Sequence, residues 1–220
     1  MLTIYGVYRS RATRPLWLLE ELGLPFRHVP VIQGYRLADA SAPDAPFNTT
    51  SADFRKINPQ GAVPAMQDGD LILTESLAIT RHIARKHGGD LAPNGLKEEA
   101  LADQWALYGA TSLETPGLDI LYTYADGKAD TPEGATKISA AAEALSRPLA
   151  RLEADLADGR DWLMGGRFTV ADIMVAECLR YGQAHKPLMA AHPRVNAWIS
   201  RCQARPAFRA MMDKRNAEPV

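Results

Sequence analysis

The first part of the chain alternates between short apolar runs and a helical pattern. Leu2 to Val7 is an apolar, β-branched run that predicts a strand. Arg11 to Leu22 carries leucines at helical spacing, and Gly23 is placed to cap that helix at its C-terminus. Phe26 to Ile32 predicts a second strand. The short links in this strand, helix, strand order predict two parallel strands joined by a right-handed crossover.

Residues 33 to 52 have no regular hydrophobic period. They contain Gly34, Pro43 and Pro46 together with small and hydroxyl-bearing residues. Such punctuation is typical of a loop, and we predict a long excursion over the surface.

The strand signals return in the next forty residues. A brief helix around Arg55 to Ile57 precedes the turn residues 58–61, and the two short runs that follow, Ala62 to Met66 and Leu71 to Leu73, flank an Asp-Gly-Asp hairpin signal. Glu75 to His87 then has a helical pattern that ends at two glycines.

Beyond residue 88 the pattern is helical only. We predict an α/β domain over residues 1–88, a linker over 89–96 and an all-helical domain over 97–220, which makes the fold class α/β plus all-α. The expected helices cover roughly 97–125, 136–157, 169–185 and 193–204, with a short one after Pro206.

Composition narrows the function classes. The formal net charge of −1 disfavours a nucleic-acid binder, which usually has a basic excess. No run approaches the about 20 apolar residues that cross a bilayer, and the N-terminus lacks a signal-peptide pattern, so a cytoplasmic location without a membrane partner is expected. The only cysteines, Cys178 and Cys202, lack metal-ligand spacing; we expect two buried thiols and no metal.

Val63-Pro64 is the most specific local feature. A proline at the start of a strand costs a ladder hydrogen bond. A cis peptide bond here would present the Val63 N–H and C=O to an extended peptide ligand, as an added strand. The alternative is an ordinary proline on an edge strand.

Glu75-Ser76 stands between a predicted strand and a predicted helix. Ser76 is placed as an N-cap, and a helix N-terminus is also an anion site. Ser76 and the neighbouring amides would hold a carboxylate while Glu75 pairs with an ammonium group. Together they suit the α-amino acid head of a γ-glutamyl peptide.

These motifs resemble those of the cytosolic, bacterial-type glutathione S-transferases. The resemblance rests on three segments, Asn58 to Pro64, Thr74 to Ile79 and Gly165 to Asp172, and it covers essentially the whole chain. In the last segment, Thr169 and Asp172 form a variant of the capping box, which we interpret as a folding determinant of the helical domain.

The resemblance implies that the first domain, residues 1–88, is thioredoxin-like and carries a glutathione site, and that the C-terminal domain is a helical bundle. Val63, which precedes Pro64, would pair with the cysteinyl backbone of glutathione. Glu75 and Ser76 would bind its γ-glutamyl end, and Gln60 would reach the glycyl or cysteinyl part.

The residue that stabilises the glutathione thiolate should follow the first strand. Ser10 is the first choice, because serine-type relatives use this turn; the alternative is that Ser10 only caps the helix. Tyr5 is the rival for the same role, and it is otherwise a core aromatic residue. Arg9 and Arg11 add positive charge that would stabilise the sulfur or bind a glutathione carboxylate; the alternative is that both are solvated surface arginines.

The resemblance also implies a second-substrate pocket in the helical domain. Trp105 and Tyr108 are the main candidates, with Ser112 and Tyr122 beside them; core or domain-interface packing is the alternative for all four.

We therefore expect a homodimeric enzyme that conjugates glutathione, its co-substrate, to an apolar electrophile. Peroxide reduction at the same site and a non-catalytic glutathione-binding scaffold are the alternatives. A thiol oxidoreductase is disfavoured, because no cysteine precedes Cys178.

Overall fold

A computed structural model describes residues 1–219. The chain forms two compact units. The first contains Met1–Gly88 and the C-terminal segment from Pro206 onward, and the second contains Gly89–Arg205.

The first unit is built on a sheet of four short strands. They are β1 (Thr3–Tyr5), β2 (Arg27–Val29), β3 (Ala65–Asp68) and β4 (Leu71–Thr74), in the order β2-β1-β3-β4. β1 is parallel to β2 and antiparallel to β3, and β3 and β4 form the predicted hairpin. The predicted parallel crossover is thereby confirmed.

Helices α1 (Thr13–Leu22) and α3 (Ser76–His87) pack against each other, and α2 (Ala52–Ile57) is the short helix between β2 and β3. α1 ends as predicted at Gly23, which has a left-handed φ of 57° and donates its N–H to the C=O groups of Leu19 and Glu20. On the α2 side of the sheet, Phe54 is fully buried in a cluster with Val31 and Ala65.

The excursion between β2 and α2 contains a 3₁₀ turn over Gly34–Arg36 and is tied together by Asn48. The Asn48 amide donates to the C=O groups of Ala40 and Pro46, at 3.0 and 2.8 Å. Its carbonyl oxygen accepts from the N–H and the hydroxyl of Thr50. The hydrogen bonds of one buried asparagine therefore stabilise this excursion, which has no hydrophobic period from which its structure could be predicted.

The second unit is helical. Its helices are α4 (Gly95–Tyr108), α5 (Thr115–Ala125), α6 (Pro132–Asp155), α7 (Val170–Leu179), α8 (Lys186–Ala190) and α9 (Pro193–Ala204). α7 is buried along its whole length, as expected of a central helix. The capping box that begins it is present: Asp172 accepts the N–H of Thr169 at 2.9 Å, and Thr169 accepts the N–H of Ala171.

Several boundaries in the second unit differ from those predicted. The α-helix expected over 169–185 ends at Leu179 and continues as a 3₁₀ segment, Arg180–Ala184. The helix expected over 97–125 is interrupted by a π-helical segment, Gly109–Glu114, ahead of Pro116, which has no N–H to continue an α-helical ladder. α6 begins at Pro132, earlier than expected, because the Thr131 hydroxyl accepts the N–H of Gly134 and caps it.

The last helix, α10 (Pro206–Ala217), belongs to the first unit, whereas the sequence analysis placed residues 97–220 in the helical domain. The Phe208 ring meets the Trp17 ring of α1 edge to face, with centroids 4.9 Å apart. Lys214 of α10 also forms an ion pair with Glu20 of α1. Phe208 and Met211 are the buried residues of α10. The helical period predicts that this face is buried, but not in which unit the helix packs.

Cys178 and Cys202 are both buried, and they are not joined in a disulfide, as predicted. Over residues 1–219, none of the helices combines the length and the hydropathy that crossing a bilayer requires.

Candidate functional site

Three chain segments meet at one end of the sheet. Ala65 pairs with Tyr5 of β1 and with Thr74 of β4. The turn after β1, the Val63-Pro64 turn and the start of α3 therefore all lie just beyond this end of the sheet. A Cβ atom on Gly6 would stand 3.3 Å from the Val63 Cβ, which shows how closely the first two turns approach.

The Val63–Pro64 peptide bond is cis, as predicted. Within residues 1–219, neither the N–H nor the C=O of Val63 has a hydrogen-bond partner. β3 is an interior strand, so these groups lie at the end of the sheet, where unpaired backbone groups can pair with an extended peptide.

The turn before Val63 is held by Asn58, a buried residue that the sequence analysis did not single out. Its amide donates to the C=O of Ala62 at 2.7 Å, and its side-chain oxygen accepts the N–H of Gln60. Gly61 has a φ of 62°, and a Cβ there would lie 2.7 Å from the C=O oxygen of Thr49, so only glycine suits the position. The Gln60 side chain is left exposed.

Glu75 has an unusual backbone. Among residues 1–219 it is the only non-glycine residue with positive φ, 66°. Its exposed carboxylate has no partner in the part of the chain that the structure describes. The Glu75 carboxylate is therefore available to bind a cation at the N-terminus of α3.

Ser76 is the first residue of α3 and not its N-cap, which corrects the sequence interpretation; the cap position is Glu75. The first hydrogen bond of the helix runs from Ile79 N–H to the C=O of Glu75. The N–H groups of residues 76–78 therefore have no acceptor within the helix, and they point with the positive end of the helix dipole toward the turn.

Arg14 of α1 is bonded to the Ser76 hydroxyl. The arginine is buried, with 2% of its surface exposed, and its Nη1 donates to the Ser76 Oγ at 2.7 Å. The hydroxyl oxygen is thus already an acceptor, and the guanidinium adds positive charge behind the helix N-terminus. The sequence analysis missed Arg14, because an arginine on an amphipathic helix usually lies in solvent.

Ser10 stands in the turn between β1 and α1. Its hydroxyl donates to the C=O of Val7 at 2.6 Å and accepts the N–H of Ala12 at 3.0 Å. Both bonds stabilise the turn, so in this arrangement the hydroxyl has the structural role that was the alternative to catalysis.

Comparison with known proteins identifies the family to which the chain belongs. Residues 4–91 match the family described as glutathione S-transferase, N-terminal domain, and residues 111–206 match glutathione S-transferase, C-terminal domain. The chain is 33% identical over 211 residues to the probable glutathione S-transferase GSTF2 of Oryza sativa subsp. japonica, covering 93% of this chain and 92% of that protein. It belongs to the glutathione S-transferase family.

Two further comparisons extend across plants and bacteria. Glutathione S-transferase 3 of Zea mays is 34% identical over 221 residues, covering 94% of this chain and 91% of that protein. The crystal structure of the theta class glutathione S-transferase from Xanthomonas axonopodis pv. citri, with glutathione bound, superimposes with a TM-score of 0.70 at 28% identity, covering 95% of each chain. The predicted family, its fold class and its glutathione transferase activity are confirmed.

In this transferase the Tyr5 hydroxyl points back along the sheet. It donates to Oε1 of Gln67 at 3.2 Å, and Gln67 is paired with Thr3, at the far end of β1 from the Val63 turn. The Tyr5 ring packs near Phe54, with centroids 6.4 Å apart. The Tyr5 hydroxyl is therefore directed away from the Val63 turn.

The two arginines beside Ser10 differ. Arg9 donates through Nε to the C=O of Glu218 at 3.2 Å, so its side chain is directed to the C-terminal segment. Arg11 is exposed at the start of the helix.

Trp105 and Tyr108 have core contacts within the helical unit of the transferase. Their rings meet edge to face at 5.5 Å, and the Arg151 guanidinium lies 5.7 Å from each ring. The Tyr108 hydroxyl donates to the C=O of Pro148 at 2.6 Å, and burial raises its pKa to about 12. These contacts favour packing, the alternative to the predicted second-substrate role; Tyr122 is 54% exposed.

A cavity of about 750 Å³ lies beside Trp105, between α4, the end of α6 and residues 158–166. Charged side chains of both signs line it, which is unlike the apolar pocket expected for the second substrate: Lys97, Glu98, Arg151, Asp155, Asp158, Arg160 and Asp161. A search of residues 1–219 finds no group of three or more His, Cys, Asp or Glu side chains that could hold a metal ion.

Proposed function

We propose that glutathione binds at the end of the sheet where Val63, Glu75 and Ser76 meet. The observation that carries this assignment is the combination of three features next to the last hairpin pair, Ala65–Thr74. They are the unpaired Val63 backbone two residues before Ala65, the unpartnered Glu75 carboxylate one residue after Thr74, and the N-terminus of α3. The Val63 N–H and C=O pair with the cysteinyl backbone of the tripeptide.

The α-amino acid head of glutathione matches the start of α3. Its carboxylate meets the N–H groups of the first turn, where the helix dipole favours an anion. Because Arg14 can only donate, the Ser76 oxygen accepts from it, and the Ser76 proton is directed to the ligand carboxylate. Glu75 pairs with the ammonium group.

The glycyl carboxylate lies toward Gln60 in this orientation. Arg55 on α2 is close to that turn: its Nε and Nη2 would lie 3.6 Å from a Cβ on Gly61. Arg55 is exposed and has no ion-pair partner among residues 1–219. We assign the glycyl carboxylate to Arg55 and Gln60.

Ser10 is the proposed thiolate donor, and its hydroxyl must turn from the C=O of Val7 to the sulfur. A thiol with a pKa near 8.5 is only about 3% thiolate at pH 7. A pKa about 2 units lower gives roughly 75% thiolate, but the lower basicity cancels close to tenfold of that gain. Most of the acceleration must then come from positioning an apolar electrophile against the sulfur.

The family assignment also leads us to propose a cytoplasmic homodimer. Light scattering coupled to size-exclusion chromatography would report the mass of the particle, and a monomer at micromolar concentration would contradict this part.

Calorimetric titration with glutathione tests the site, and conjugation of an aryl halide tests turnover. Ser76→Ala should weaken glutathione binding several-fold, because one ligand hydrogen bond is lost. Ser200→Ala on α9 is the matched control, since that exposed serine bonds only to the C=O of Asn196 in its own helix. Equal affinity of the two variants would refute the assignment of the γ-glutamyl site.

A further inference from the structure

The C-terminal segment is bonded directly to the turn that carries Ser10. The Glu218 carboxylate accepts the N–H of Tyr8 at 2.7 Å on one oxygen and the N–H of Arg9 at 2.9 Å on the other. Two adjacent backbone donors converging on one carboxylate form a small anion-binding concavity, and the protein fills it with its own side chain.

Further contacts surround this one. The C=O of Glu218 accepts from Nε of Arg9, and the Lys214 ammonium, one turn earlier on α10, lies at the Tyr8 hydroxyl and pairs with Glu20. From the other side, the Gln33 amide donates to the C=O of Arg9 at 3.1 Å. Tyr8 and Arg9 are therefore fixed by groups from outside the turn.

Tyr8 and Arg9 are also the two residues between Val7 and Ser10. The Ser10 hydroxyl closes this turn by donating to the C=O of Val7. If that hydroxyl donates to a thiolate, it cannot also donate to Val7, because a hydroxyl carries one proton. The turn then loses its bond to the C=O of Val7. The bonds from Glu218 and Gln33 still hold the backbone of Tyr8 and Arg9, while Ala12 and Thr13 stay bonded to Ser10.

We propose that Glu218 is a positioning residue for the glutathione thiolate. Its carboxylate holds the backbone of Tyr8 and Arg9 so that the Ser10 hydroxyl stays aligned when it leaves Val7 for the sulfur. This inference rests on the proposed role of Ser10. It gives the C-terminal segment a role in catalysis, because Glu218 fixes the backbone of the turn that carries Ser10.

Two effects of removing Glu218 have opposite signs. A nearby negative charge disfavours a thiolate, so its loss by itself lowers the pKa of the bound thiol. A displaced Ser10 withdraws a hydrogen bond from the thiolate, which raises that pKa. The direction of the change therefore separates positioning from simple electrostatics.

The experiment compares Glu218→Ala and Glu218→Gln with the control Asp213→Ala. Asp213 is an exposed carboxylate on α10, one turn before Ala217. Ultraviolet absorbance of enzyme-bound thiolate against pH gives the thiol pKa, and steady-state kinetics gives kcat and the KM for glutathione. Calorimetric melting of each variant shows whether it is folded.

In Glu218→Ala we expect a raised thiol pKa and a kcat lower by about two- to threefold, since the smaller thiolate fraction is largely offset by the higher basicity of the sulfur. The KM for glutathione should change less than about twofold, because Val63, Glu75 and Ser76 are untouched. Glu218→Gln, which keeps one acceptor oxygen, should fall between Glu218→Ala and wild type. A thiol pKa that is unchanged or lowered, with kcat retained, would overturn the proposal.

Amide hydrogen exchange in the absence of glutathione tests the attachment without relying on Ser10. Peptides that cover residues 7–12 should exchange faster in Glu218→Ala and at the wild-type rate in Asp213→Ala. Equal exchange in all three proteins would show that Glu218 does not hold the turn. If the wild-type enzyme does not bind glutathione in the calorimetric titration, the proposed glutathione site fails, whatever the exchange result.

Discussion

Nη1 of Arg14 donates to Oγ of Ser76 at 2.7 Å, and this bond joins the first helix of the chain to the N-terminus of the third. Arg14 is buried, and Ser76 is 5% exposed. The bond thus places a guanidinium behind the site proposed for the γ-glutamyl carboxylate and fixes the direction of the serine proton.

Arg14→Lys should weaken glutathione binding and lower the free energy of unfolding. Lysine keeps the charge, but its shorter, single-point donor does not reproduce the guanidinium bond. We expect a loss of about 1–3 kcal/mol in stability, the usual cost of a buried hydrogen bond to a charged group. Urea denaturation and glutathione titration measure the two effects.

A double-mutant cycle of Arg14→Lys with Ser76→Ala isolates the contact. A coupling energy above about 0.5 kcal/mol in glutathione binding is expected for directly bonded residues. Strictly additive losses would mean that Arg14 acts only through packing.

Ser10→Ala should raise the pKa of enzyme-bound glutathione, because a hydrogen bond to the charged thiolate is removed. A rise of about 1 unit corresponds to about 1.4 kcal/mol. Tyr5→Phe serves as the comparison, and it should leave the thiol pKa unchanged, since the Tyr5 hydroxyl is bonded to Gln67. If Tyr5→Phe raises the pKa and Ser10→Ala does not, the tyrosine is the thiolate donor.

Tyr108→Phe tests the role of the aromatic pair on α4. The C=O of Pro148 loses its Tyr108 donor, so we expect a destabilisation of about 1 kcal/mol, measured by thermal denaturation. The KM for the electrophile should stay within about twofold of wild type, as for a residue that does not contact the substrate. A larger change in that KM, at equal KM for glutathione, would restore the second-substrate role for Tyr108.

Asp68 should make the first unit acid-sensitive. The hydrogen bond from His82, which has the larger effect, and the one from Lys86 lower the pKa of Asp68 from 3.8 to about 2. A lowered carboxyl pKa stabilises the folded protein above the unfolded value, and this contribution disappears as the pH falls from about 4 to about 2.

Solvent screening reduces the contribution of Asp68 to about 1 kcal/mol. Asp68→Asn should therefore lower the stability at pH 6 and flatten its fall between about pH 4 and pH 2. The exposed Asp53, which is paired with Lys56 on the surface, is the control position. Parallel acid-denaturation curves for wild type and Asp68→Asn would rule this contribution out.

Several features of the transferase are determined by residues close together in the chain. The hairpin of β3 and β4, the left-handed cap at Gly23, the cis bond before Pro64 and the capping box at Thr169 each depend on a few neighbouring residues. Local patterns carry that information, because backbone conformation and capping act over one or two turns. The order of strands and helices, and with it the fold class, follows from the same patterns.

Contacts between distant segments were decided by the tertiary structure alone. Arg14 and Ser76 are 62 residues apart, and Tyr8 and Glu218 are 210 residues apart. A helical period shows that one face of α10 or α4 is buried, but not which helix covers it. Packing placed α10 on α1, turned Tyr108 toward Pro148 and brought the end of the chain to the turn of Ser10, since these depend on how whole elements fit together.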